Sequence, residues 1–270
     1  MRTSLSWGAL LCNPVLISIF KIKIMGLFNL FKKQSNPSID RQIDDKNKHL
    51  WDEISAQYEI EVISWKRGEY AAEVQDKKVT LFVSDTDVNP ALFAHELLHI
   101  KLRSENVFFA VFIYKVCENH FVLMNIFNLQ NASLMGNLLD HIFMYNEYSG
   151  MGYTEDNFAF DYGTDKFTED EGQMLLKGFS NSIIKSEVVG YYLTKYVALR
   201  ALKETGKDYT HAFHVLNSID SHLFQISKTM MDKLIDLSLN DYKSVSEQYM
   251  QIVGEFLVGL ESWTEDKVIV

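Results

Sequence analysis

Cysteine, proline and basic charge are all scarce in this chain, and each scarcity closes a route. Two cysteines in 270 residues, Cys12 and Cys117, are too few for a disulfide framework or a four-cysteine zinc site. Lysine and arginine number 26 against 36 acidic residues, a formal charge of −10, which argues against a protein that grips nucleic acid by neutralising phosphates. Three prolines and 13 glycines leave few turn formers, so helix is the expected majority. Internal repeats, a phosphate-cradling glycine loop and a basic stretch interleaved with aromatics are absent. The apolar run from Trp7 to Phe20 is interrupted by Asn13 and Pro14 and is too short to read as a membrane span. No small-x-small cleavage pattern follows it.

The chain does have material for a core: 47% of its residues are hydrophobic and 23% charged, which are ordinary globular proportions. Residues 1–24 differ from the rest, with Arg2, Lys21 and Lys23 and no acid. "MGLFNLFKKQSNPS" from Met25 reads as an alternative beginning: a short amphipathic stretch, two lysines and a polar linker. The chain is therefore expected to be cytoplasmic, with membrane contact or export an option only through this N-terminal segment. The expected division is an N-terminal segment and linker (1–45), a core (46–165) and a helical C-terminal region (166–270).

Hydrophobic periodicity predicts a short helix at 49–58 and strands at 58–65, 69–74 and 77–84, forming a small antiparallel sheet. Asn89-Pro90 then opens a helix, with Asn as the cap and Pro at the first helical position. Further helices are predicted near 90–103, 106–127, 132–148, 168–178, 182–204, 208–226, 229–239 and 241–262, with a loop region at 149–167. The fold class is α+β, mostly α: a small sheet packed on the helix at residue 90, then a large helical region.

That helix carries the chemistry. His95-Glu96-Leu97-Leu98-His99 is an HExxH sequence. Four residues of helix bring both imidazoles to one face, where they can hold one metal ion. Zinc suits imidazole ligands and leaves a position open to water. Glu96, beside the first ligand, can accept a proton from water and later pass it to a leaving amine. The flanks Leu92, Phe93, Leu97, Leu98 and Ile100 are apolar, so the face is not simply a solvated one.

"AHELLHIKL" resembles the zinc-helix signature of the zincin metallopeptidases, and it follows a strand at 77–84 that is expected to be the sheet edge, as in that superfamily. The resemblance covers roughly residues 58–148. It implies zinc on His95 and His99, Glu96 as general base, and a peptide or protein substrate lying antiparallel along strand 77–84. The metzincin extension would need Gly at 102 and His at 105, where this chain has Leu102 and Glu105. A gluzincin-like or ImmA/IrrE-like bacterial member is the nearest likeness, with the third ligand on a later helix.

The stretch 132–148 offers Asp140, His141 and Glu147. His141 lies at the edge of that helix's apolar face, closer to it than Asp140 or Glu147. Asn146-Glu147 resembles the pair that supplies the third ligand in several gluzincins, so His141 and Glu147 both remain candidates. Asp140 is expected to accept an N–H from a ligand imidazole, and Tyr145 or Tyr148 could donate to a developing oxyanion. His211 and His214 are a second spaced pair with no fixed acidic or cysteine partner. The function expected is a zinc-dependent metallopeptidase. The alternative is an interaction protein that keeps a zinc site and cleaves nothing, or one partner only.

Overall fold

The computed structural model describes residues 39–65, 70–84, 86–158, 165–201, 207–239 and 245–270. The expectations for residues 1–24, the Met25 start, the turn at 66–68, Asp85, Gly163 and Gly206 lie outside the described residues. The architecture is α+β and mostly helical, as expected.

Helix α1 (Lys48–Gln57) buries Leu50 and Ile54 and lays Trp51 against Phe93. Strands β1 (Glu59–Trp65), β2 (Ala71–Gln75) and β3 (Lys78–Ser84) follow. Their order is β1-β3-β2. β2 and β3 form the expected antiparallel hairpin, from Ala71↔Phe82 to Gln75↔Lys78. Asp76 takes the left-handed conformation that its tight turn needs (φ 54). β1, however, pairs with β3 in parallel, Glu59↔Lys78 through Trp65↔Ser84.

The sheet is therefore mixed rather than antiparallel, and the segment 77–84 is its centre rather than its edge. The cause is composition. β3 carries the continuous apolar run Leu81-Phe82-Val83 and buries Val79 as well, so it is the strand that gains from being covered on both sides. The half-polar β2 is left as an edge.

Helix α2 (Pro90–Ser104) begins as the sequence predicts. The Asn89 side chain accepts from the N–H groups of Ala91 (3.1 Å) and Leu92 (3.2 Å), a cap of about 1 kcal/mol. The expected helix 106–127 is two: α3 (Phe109–Cys117) and α4 (Phe121–Ile126). The buried stripe Phe109, Ile113, Cys117 would run on into His120 and Phe121, and Phe121 is 80% exposed. Breaking the helix re-aims the chain so that Leu123 and Ile126 are buried instead.

Helix α5 (Leu129–Gly150) is the central element and packs against α2, α3, α7 and α9. The loop after it contains one 3-10 turn, Glu155–Asn157. Helix α6 (Glu169–Phe179) starts in a capping box, Thr168 with Glu171. Strand β4 (Ile183–Ile184) occupies the start of the expected helix 182–204, and α7 (Ser186–Ala201) follows. Helices α8 (Thr210–Ile219), α9 (Ser221–Ser238) and α10 (Val245–Thr264) complete the helical part, and β5 (Val268–Ile269) pairs with β4. The α8–α9 break falls at Asp220, not after 226, because the Asp220 side chain caps Leu223 N–H (2.8 Å) and holds Trp263 Nε1 (3.0 Å).

One contiguous apolar core runs from Leu50 to Trp263. Among the described residues no helix is long and apolar enough to cross a membrane.

Candidate metal centre

The two histidines of α2 and one from α5 converge. His95 and His141 are buried, and the His99 side chain is 13% exposed. Ring centroids lie 4.9 Å apart for His95–His99, 4.9 Å for His95–His141 and 5.5 Å for His99–His141. One nitrogen from each ring falls within 4.8 Å of the other two, and Nε2 of His95 and Nε2 of His99 are 3.1 Å apart. The helical spacing supplies the first two, and the packing of α5 across α2 supplies the third. Asn137, one turn before His141, puts Nδ2 3.5 Å from its Nε2.

A charged chain fixes His99. Its Nδ1 lies 3.1 Å from Oδ2 of the buried Asp140. Arg103, one turn beyond His99, grips both Asp140 oxygens, with Nη1–Oδ1 at 3.1 Å and Nη2 on Oδ2, and donates to the Val107 carbonyl at 2.6 Å. Burial alone would push the Asp140 carboxyl up, but Arg103 and His99 hold it below the usual aspartate range. A carboxylate can only accept, so His99 donates from Nδ1, and its Nε2 is the nitrogen turned toward His95. Burial and the neighbouring His99 and His141 push His95 well below the usual histidine range, with the Phe158 backbone acting the other way. His95 is thus a neutral imidazole, the form that binds metals, and its Nδ1 is buried without a hydrogen-bond partner that meets normal geometry.

Glu96 is part-buried on α2, and the neighbouring His99 acts on its carboxylate. The Ala72 N–H of the edge strand β2 is directed at its carboxylate. Burial raises the Glu96 pKa, and His99 and Ala72 offset part of the rise. Its partner on β2 follows from register. In this two-residue hairpin Gln75, Glu73 and Ala71 bond to β3, so Ala72 and Val74 turn their backbone groups outward.

The structure brings His141, not Glu147, to the two α2 histidines. Glu147 lies one and a half turns further along α5 and is held by Lys101 Nζ at 2.7 and 2.9 Å. Of the two tyrosines, the Tyr145 hydroxyl bonds Glu155, while the buried Tyr148 packs on Phe158 and Tyr153 with its hydroxyl lacking a hydrogen-bond partner. His211 is exposed, 3.8 Å from Glu169, and among the described residues it belongs with His214 to no group of three metal-ligating side chains.

Two residues were missed by sequence reasoning. Arg103 had a signal, since 95, 99 and 103 share one helical stripe. Phe158 had none. Its ring is fully buried against His95 (5.1 Å) and His141 (5.2 Å), placed there by the loop that returns from α5.

Three imidazoles in a buried pocket, one steered by a hydrogen-bonded carboxylate, form a donor set that borderline divalent metals take. The group could hold a metal ion. The chain matches no known family, no curated protein and no solved structure.

Proposed function

We propose that this protein is a zinc-dependent metallopeptidase of zincin type, with His95, His99 and His141 as ligands and Glu96 as general base. The observation that supports it most is the convergence of three histidines within 4.8 Å, two of them on an HExxH helix. When bound, zinc would supply Lewis acidity and an ionisable water near neutral pH. The chain's own residues do the rest. His99, oriented by Asp140 and Arg103, presents one fixed nitrogen. Glu96, whose pKa is raised by burial, is suited to receive the proton of the attacking water and return it to the departing amine. The substrate would be a peptide in extended form, pairing with the outward backbone groups of Ala72 and Val74 on β2 rather than along 77–84 as the sequence suggested. A cytoplasmic setting belongs to this proposal.

The fully buried Phe158 over the ligands favours a second reading, a metal-holding interaction protein that cleaves nothing. Elemental analysis and casein hydrolysis separate the possibilities. The metallopeptidase reading expects about one zinc per chain, lost in His95→Ala and His141→Ala but kept in Glu147→Ala. Glu96→Gln should keep the metal and lose hydrolysis by about 10²- to 10⁴-fold. Metal without hydrolysis in the wild type supports the second reading, and no uptake from added zinc sinks both.

A further inference from the structure

Residues 151–158 follow α5 and bring Phe158, at the described end of the loop, against the histidine cluster. Gly152, Thr154 and Asp156 face solvent, while Phe158 is fully buried. Gly152, at φ +80, makes the reversal that sends the chain back over the site. The segment is fastened at both ends. At the first, the Tyr153 hydroxyl donates to Asp44 Oδ1 at 2.6 Å, Lys46 Nζ donates to the Gly152 carbonyl at 2.6 Å, and the same ammonium lies over the Tyr153 ring. At the second, Glu155 takes the Tyr145 hydroxyl, and Asn89 Nδ2 donates to Asn157 Oδ1 at 3.2 Å. Between these fastenings and the core, the Phe158 ring sits edge-on to His95 and His141 and against Tyr145 and Tyr148.

We propose that residues 151–158 are a strap that closes the metal centre, with Phe158 as plug and the Tyr153–Asp44 bond as latch, so that a substrate reaches the ligands only after the strap lifts. This regulation rests on the reading of the histidines as a metal centre. Its physical basis is an imbalance. The plug is apolar and dry, but its segment is fastened by a few polar bonds that are only partly buried, which local opening can break without unfolding the helices. Release of the latch uncovers the imidazoles while α2 and α5 stay packed.

Diethyl pyrocarbonate, which acylates accessible neutral imidazoles, tests this on the full chain after metal removal by EDTA, with peptide mapping by mass spectrometry. His211, 79% exposed, is the internal reference. In the wild type, His95 and His141 should react far more slowly than His211. Tyr153→Phe, which removes only the latch hydroxyl, should speed both by about 3- to 10-fold, and Phe158→Ala should speed them further, with His211 unchanged. Equal rates in wild type and Tyr153→Phe overturn the strap, as does a wild type whose His95 reacts as fast as His211. Should Phe158→Ala fail to fold, Tyr153→Phe decides alone. Zinc uptake by the same preparations is a separate readout: a chain that binds none refutes the metal centre, whatever the acylation rates say of the strap.

Discussion

At His99 one ring nitrogen is already committed, because the buried Asp140 accepts from Nδ1 at 3.1 Å. Asp140 is 1% exposed, and a carboxylate there is tolerable only because Arg103 grips both its oxygens. Removing the cation while leaving the anion should therefore be costly. Arg103→Gln is expected to lower stability by about 3–5 kcal/mol, read by urea unfolding in EDTA. Lys101→Gln makes the control: its partner Glu147 is 20% exposed where Asp140 is 1%, so the carboxylate left behind can reach water and about 1 kcal/mol or less should be lost. A similar loss in both would mean that Asp140 does not depend on Arg103. At this scale the sequence was informative where spacing alone acts. The meeting of His95 with His99 and the pairing of Asp140 with an imidazole could both be read from helical geometry. The choice between His141 and Glu147 could not, because it depends on where Lys101 reaches.

Among the elements, α5 decides the geometry of the site, and its place is set by a missing side chain. A Cβ on Gly136 would lie 2.5 Å from both the Cβ and the backbone nitrogen of Ala110, so α3 and α5 touch almost backbone to backbone. Backbone cannot step aside as a flexible side chain can. Gly136→Ala should cost about 1–3 kcal/mol or more by overpacking, and because Asp140 and His141 lie one turn further along α5, zinc affinity should fall with it. A calorimetric titration of this variant with zinc checks the point, and wild-type affinity would show that the crossing does not position the ligands. Helix starts were legible from caps such as Asn89-Pro90 and Thr168 with Glu171, since those signals act within one turn. Strand pairing was not. A parallel partner for β3 across the top of a hairpin depends on which strand buries most, and that emerges only when the sheet meets α2.

For the molecule as a whole, the three histidines lie on two helices joined through α3 and α4, so an ion they shared would fasten α2 to α5. A ligand that binds only the folded chain stabilises it by mass action, about 4 kcal/mol at a thousandfold excess over Kd. For a chain of this size that is on the order of 10 °C. Saturating zinc should raise the melting temperature of the wild type by this order and leave His95→Ala unmoved, as measured by scanning calorimetry. An identical rise in both would assign the effect to zinc held elsewhere. The overall class, a small sheet followed by many helices, was legible from composition and periodicity. Contacts such as Tyr153 with Asp44, 109 residues apart, carry no local signature, so the closure over the site could not be foreseen.

The outward N–H of Ala72 has a single proton to give. While Glu96 holds it, that position on the rim of the sheet is taken, and a visiting strand must claim it from the carboxylate. On the proposed peptidase reading, docking and the freeing of Glu96 would then be one exchange: the carboxylate would be released by the arrival of a substrate strand and stay tethered in its absence.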